Sequence, residues 1–136
     1  MLLLLIPDFK NVEALIIHPT ERHLAISLKP DTGKLSFNGR SLPEDSKAFF
    51  NPIIKWLQEY AKSPAPLTEC SLKMEYFNSS SRKCFVDVFS VLNTIRKNGH
   101  AVTIIWNYEE DDDELKDMGE KYSSIYKDIT FELHPY

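Results

Sequence analysis

Glycine and cysteine are scarce in this chain: four of one and two of the other among 136 residues. Loops that cradle nucleotide phosphates need several closely spaced glycines, so a nucleotide site of that type is excluded. Cys70 and Cys84 stand alone, with no partner at metal-ligand or redox-motif spacing, and read as buried free thiols of a reducing compartment. No long apolar run is present. Met1 to Ile6 stops at Pro7 and Asp8, far short of the roughly 20 residues of a spanning helix, and is too short for the apolar core of a signal peptide. No membrane association is therefore expected, and the cytoplasm is the expected location. Positive charge is not concentrated anywhere. Sixteen Lys and Arg against twenty Asp and Glu give a net charge of -4, which argues against nucleic acid as a partner because phosphate binding draws on clustered cations.

What is present is ordinary globular material, with 43% hydrophobic and 26% charged residues and length for one domain over 1–136. Leu15 to His18 is a short apolar run, and Leu24, Ile26 and Leu28 alternate with smaller residues at the period of a half-buried strand. Pro30-Asp31-Thr32-Gly33 supplies turn chemistry, and Leu35 and Phe37 share a face of the strand that follows, so a hairpin is predicted. Phe49, Phe50, Ile53, Ile54, Leu57 and Tyr60 recur at helical spacing behind a cap at Asp45 or Ser46. Pro52 within that pattern is expected to kink the helix or to begin its main body. Leu67 to Phe77 alternates throughout, with Cys70, Leu72, Met74 and Tyr76 on one side. A second amphipathic helix carries Phe85, Val88, Phe89, Leu92 and Ile95 and ends near Gly99. Ala101 to Tyr108 reads as a strand covered on both faces. A short polar helix from Asp111–Asp113 to about Tyr122 and a strand from Ile129 to Leu133 complete an α/β domain: a mixed β-sheet with about three helices packed on it, in part through parallel crossovers.

The candidate site is Tyr76-Phe77-Asn78-Ser79-Ser80-Ser81-Arg82-Lys83, where the alternating strand hands over to the second helix. One Ser or Asn suffices to cap that helix, a device worth about 1 kcal/mol, and three serines after Asn78 exceed the need. A helix N-terminus carries unpaired amides and about half a positive charge. A phosphate on one of these serines would place about -2 charge and three acceptor oxygens there, with Arg82 and Lys83 within a turn. Such a modification changes a surface without disturbing the fold.

Three segments together give the chain a family likeness: Gly39-Arg40-Ser41-Leu42-Pro43-Glu44-Asp45 with Trp56-Leu57-Gln58-Glu59-Tyr60, the Tyr76 to Lys83 junction, and Trp106-Asn107-Tyr108-Glu109-Glu110-Asp111-Asp112. In this order and at these separations the chain resembles the SiaC family of bacterial regulatory phosphoproteins, over about 16–133 of the sequence. The resemblance implies a fold similar to that of the anti-sigma-factor antagonists (STAS-like) and a role in a partner switch. A dedicated Ser/Thr protein kinase would phosphorylate the hydroxyl after the junction's Asn, and a PP2C-type phosphatase would remove the phosphate. The unphosphorylated form would bind and regulate a target such as a diguanylate cyclase, in cyclic di-GMP signalling. Carried over, the phosphoacceptor is Ser79, where the family often has Thr, with Ser80 and Ser81 as alternative acceptors. Asn78, Ser80, Ser81, Arg82 and Lys83 would face the partner.

Other features carry less. Glu109 to Glu114 is a continuous acidic run without the interspersed glycine and fixed steps of a calcium loop, and reads as a solvated segment favouring the following helix's N-terminus. His18, His23, His100 and His134 form no metal-binding pair. No metal, no cofactor and no catalytic residue is expected. The alternative reading is a small hydrolase or ligand-binding domain that uses the Asn78–Ser81 junction, although the glycines that flank a hydrolase's nucleophilic serine are missing. Trp56 and Trp106 are expected in the core.

Overall fold

The computed structural model describes residues 12–136; the apolar Met1 to Ile6 run lies outside the described residues. Among the described residues six strands and three helices follow one another as β1 (Leu15–Ile17), β2 (Ala25–Lys29), β3 (Lys34–Ser41), α1 (Ser46–Tyr60), β4 (Leu67–Phe77), α2 (Ser79–Lys97), β5 (Ala101–Tyr108), α3 (Asp113–Ile125) and β6 (Thr130–Pro135). They form one mixed sheet in sequential order. β1, β2 and β3 pair antiparallel, whereas β3 to β6 run parallel, each pair joined by a helix. Repeated crossovers of one hand, progressing in one direction across a sheet, leave their helices on one side.

The register shows that side. Ile26, Phe37, Leu72, Trp106 and Leu133 pair in one row across five strands, and Leu28, Leu35, Cys70, Ile104 and Phe131 in a second. All are buried or packed against the core. The row between them, Ser27, Ser36, Ser71, Ile105 and Glu132, lies on the opposite face and is not buried. Among the described residues β5 is thus covered on one face only, contrary to the expectation from its apolar composition. Thr103, Ile105 and Asn107 remain half-exposed. Trp106 can be buried because its Nε1 donates to the Leu115 carbonyl at 2.9 Å. Trp56 is only partly buried: it stacks on Tyr60 and donates from Nε1 to the Glu13 carbonyl.

α1 starts where Asp45 accepts from the Ala48 amide at 3.1 Å. Its face of Phe50, Ile53, Leu57 and Tyr60 is buried. Pro52 lies inside the helix and does not start it. The donor it lacks would have met the carbonyl of exposed Ala48, which water can satisfy. α2 contributes Phe85, Val88, Phe89, Leu92 and Ile95 and packs on α1 and β5. Phe85 is the hub of the aromatic core, with the rings of Phe37, Phe50 and Phe77 edge-on within 5.7 Å and Phe89 at 6.1 Å.

The hairpin turn depends on Gly33. Its φ of 72° is left-handed, and a Cβ there would meet the Leu67 carbonyl oxygen at 2.2 Å and the Ala65 Cβ at 2.9 Å. Gly33 also accepts from the Glu69 amide, tying the hairpin to the start of β4. Gly33→Ala is expected to cost about 3 kcal/mol, the sum of left-handed strain and local overpacking. Urea denaturation reads this directly, and a loss under about 1 kcal/mol would show that the turn relaxes freely.

Candidate functional site

The site forms where β4 ends. Its alternation is broken by a bulge: Met74 pairs with Gly39 and Tyr76 with Arg40, so Glu75 is an extra residue opposite no partner. This corrects the simple alternating reading of β4. Past the bulge the inward position passes from Tyr76 to Phe77, which is buried, while Tyr76 is 48% exposed. The chain then leaves the sheet at the carboxyl end of a parallel strand, the edge at which α/β sheets commonly present their sites.

Asn78 is the N-cap of α2, with φ -80° and ψ 173°. Its Oδ1 accepts from the Ser81 amide at 2.9 Å and from the Ser80 hydroxyl at 3.2 Å, and its own amide donates to the Ser41 carbonyl at 3.0 Å. The Arg82 amide donates to the Asn78 carbonyl. The amides of Ser79 and Ser80, first in the helix, have no carbonyl a turn earlier to bond and remain directed outward.

The three serines differ. Ser81 is fully buried: its Oγ shares a 2.8 Å hydrogen bond with Ser41 Oγ and also approaches the Ser41 carbonyl. It does not present a hydroxyl to solvent, in contrast to the expectation that it serves as an alternative acceptor and faces a partner, because it lies on the inward face of α2 with Cys84 and Phe85. Ser80 is exposed as a residue, yet its Oγ is bonded to both Asn78 Oδ1 and Ser46 Oγ, the latter at 2.6 Å. Ser79 is exposed, and its hydroxyl makes no hydrogen bond to any other described residue.

Charge around the tip is mixed. Arg82 lies over the Phe77 ring at 5.5 Å and reaches Glu114 of α3 at 3.4 Å, with its Nε buried and unpartnered. Lys83 is exposed and borders a groove between α1 and α2 together with Asp45, Lys47, Cys84 and Asp87. Burial, then the Asp87 carboxylate, pushes the Cys84 thiol up, and burial alone pushes Cys70 up to about 12. Both cysteines are free. The acidic run supplies the cap of α3, where Asp112 Oδ1 accepts from the Leu115 amide, and places Asp113 and Glu114 in its first turn.

Ser80 and Ser81 are bonded to serine, asparagine and backbone, and no described histidine is hydrogen-bonded to Ser79, Ser80 or Ser81, so no histidine relay of the hydrolase kind is assembled at the junction among the described residues. Nor do the described residues hold a cluster of His, Cys, Asp or Glu able to bind a metal. Among them, no helix is long and apolar enough to cross a membrane. The pairing of Ser41 and Ser46 with Ser81 and Ser80 was not visible in the sequence, since the partners lie more than thirty positions apart and serine carries no pattern.

Fold and junction together define a small α/β protein that presents a hydroxyl-bearing helix tip at the carboxyl edge of a one-sided mixed sheet. A model of the SiaC family of regulatory phosphoproteins matches residues 17–136, and the chain belongs to that family. The structure of apo-SiaC from Pseudomonas aeruginosa superposes with a TM-score of 0.81 at 26% identity, covering 90% of this chain and 98% of that one. A second solved structure, the diguanylate cyclase SiaD in complex with its activator SiaC from the same organism, matches with a TM-score of 0.84 at 25% identity over 90% of this chain and 99% of that one. An uncharacterised Pseudomonas aeruginosa protein is 28% identical over 90 residues, 66% of this chain and 71% of its own.

Proposed function

We propose that this protein is the phosphorylation-controlled member of a bacterial partner switch, acting in the cytoplasm without catalysis of its own. The unphosphorylated form binds and activates a diguanylate cyclase. A dedicated Ser/Thr kinase places a phosphate on Ser79, the complex dissociates, and a PP2C-type phosphatase restores the binding form. Membership of a family of regulatory phosphoproteins and likeness to a SiaC bound to the cyclase it activates support this reading. The observation that carries it is the state of Ser79: exposed, at the first position of α2, and with a hydroxyl that bonds to no other described residue.

The electrostatics suit a reversible switch. The outward amides of Ser79 and Ser80 and the helix dipole favour a dianion, so phosphorylation leaves the fold intact. Burying that dianion in a docked interface without cationic partners is costly, whereas shifting a two-state equilibrium from 1:99 to 99:1 takes about 5.5 kcal/mol. One phosphate inside the interface is of the right order. Incubation of the full chain with ATP and its kinase, followed by mass spectrometry, is expected to show one phosphate, on Ser79. A chain that takes up no phosphate in 78–83 would overturn the reading.

A further inference from the structure

We infer that Ser46, at the start of α1, decides which serine of the junction is phosphorylated, by holding the Ser80 hydroxyl out of reaction. The inference rests on the phosphorylation reading above and identifies the residue that gives it single-site character. Ser79 and Ser80 are neighbours, both exposed, and both lie at the helix tip. Sequence alone offers a kinase two adjacent hydroxyls. They differ in how their oxygens are engaged.

Ser80 has one hydroxyl proton, which it donates to Asn78 Oδ1 at 3.2 Å. The 2.6 Å contact with Ser46 Oγ then has Ser46 as its donor and occupies a lone pair of Ser80. Phosphoryl transfer has an oxygen lone pair form a bond to the γ-phosphorus of ATP while the bond to the departing ADP oxygen breaks and the hydroxyl proton passes to a base of the kinase; Ser80 keeps one lone pair for this, but its proton is committed to Asn78 and its oxygen is tethered to Ser46. Ser80 must first give up both bonds, and Ser46, only 5% exposed, would be left with a polar atom that water reaches poorly. Ser79 gives up nothing. Two net hydrogen bonds correspond to roughly ten- to a hundredfold in rate.

Ser46 keeps its position because Asp45 caps α1 immediately before it. The deeper pair, Ser41 with Ser81, joins the same two parts of the chain and holds the first turn of α2 against the end of β3. Loss of the Ser46 hydroxyl therefore removes one of the two bonds that hold Ser80 without undoing the junction.

The test is site mapping by mass spectrometry on the full chain isolated from the bacterium that makes it, comparing the parent with Ser46→Ala, Ser46→Thr, Ser79→Ala and the Ser46→Ala/Ser79→Ala double variant. The parent is expected to carry phosphate on Ser79, with Ser80 below about one-tenth of it. In Ser46→Ala, which removes one of the two bonds, the share on Ser80 rises about three- to tenfold, and Ser46→Thr, which retains a hydroxyl, restores the parent pattern. Ser79→Ala alone stays nearly free of phosphate, and the double variant regains it on Ser80. A role in stability alone would lower the melting temperature without moving the phosphate. If Ser46→Ala keeps the parent distribution and the double variant takes up none, the assignment to Ser46 is wrong while the switch at Ser79 stands. A parent free of phosphate throughout the junction removes the switch itself, and the role of Ser46 with it.

Discussion

Ser79→Asp is expected to bind the diguanylate cyclase about a hundredfold more weakly than the parent while melting within a few degrees of it. The two halves of this result have separate causes. Folding is spared because the position is exposed, its hydroxyl makes no bond that the substitution breaks, and a carboxylate at the first residue of a helix interacts favourably with the dipole. Under the proposed switch, binding suffers because a charge is carried into a surface that would dock with a neutral hydroxyl there. Ser79→Ala serves as the control: it removes the acceptor without adding charge and is expected to bind within a factor of about three of the parent. Calorimetric titration against the cyclase, with melting curves for each variant, measures both. Parent-like affinity in Ser79→Asp and Ser79→Glu alike would place the docking surface elsewhere on the molecule.

Phe85→Ala should produce the largest loss of stability, about 3–5 kcal/mol. Four other rings contact Phe85, and its own exposure is 1%. Removing it opens a void among Phe37 of β3, Phe50 of α1 and Phe77 of β4, side chains on three elements that cannot all move in to fill it. A domain of this size has about 5–15 kcal/mol in total, so the variant would stand close to unfolding at physiological temperature. Val86, next in sequence but 48% exposed, provides the contrast: Val86→Ala should change stability by no more than about 0.5 kcal/mol. Urea denaturation of the pair decides. Equal midpoints would mean that the aromatic cluster is not the centre of the core.

The helices and strands could be read from the sequence because their signals are local. Phe50, Ile53, Leu57 and Tyr60 repeat at helical spacing, and Thr68, Cys70, Leu72 and Met74 alternate, so burial follows period in each. Asp45, Asn78 and Asp112 each cap a helix as side-chain chemistry dictates. The inward turn of Phe77 was not legible, because a bulge is a relation between two strands and β4 alone contains no sign of it. The single-sided cover of β5 was missed for a related reason: Ile105 is as apolar as Ile104, and only the path of the helices distinguishes them. At the junction, the position of the serines followed from the Asn78 cap. Their inequivalence did not, because it depends on Ser41 and Ser46 arriving from another part of the chain.

The extra residue at Glu75 makes the junction a matter of odd and even counting. Between Met74, which faces the core, and Ser79, which faces water, substitutions alter chemistry but leave direction alone. Deleting Glu75 would close the bulge into regular pairing, with Tyr76 still opposite Arg40 and Phe77 still opposite Ser41, so the faces beyond it would be kept. What the extra residue adds is therefore the bend and the sharper local twist with which β4 delivers its last residues to the start of α2.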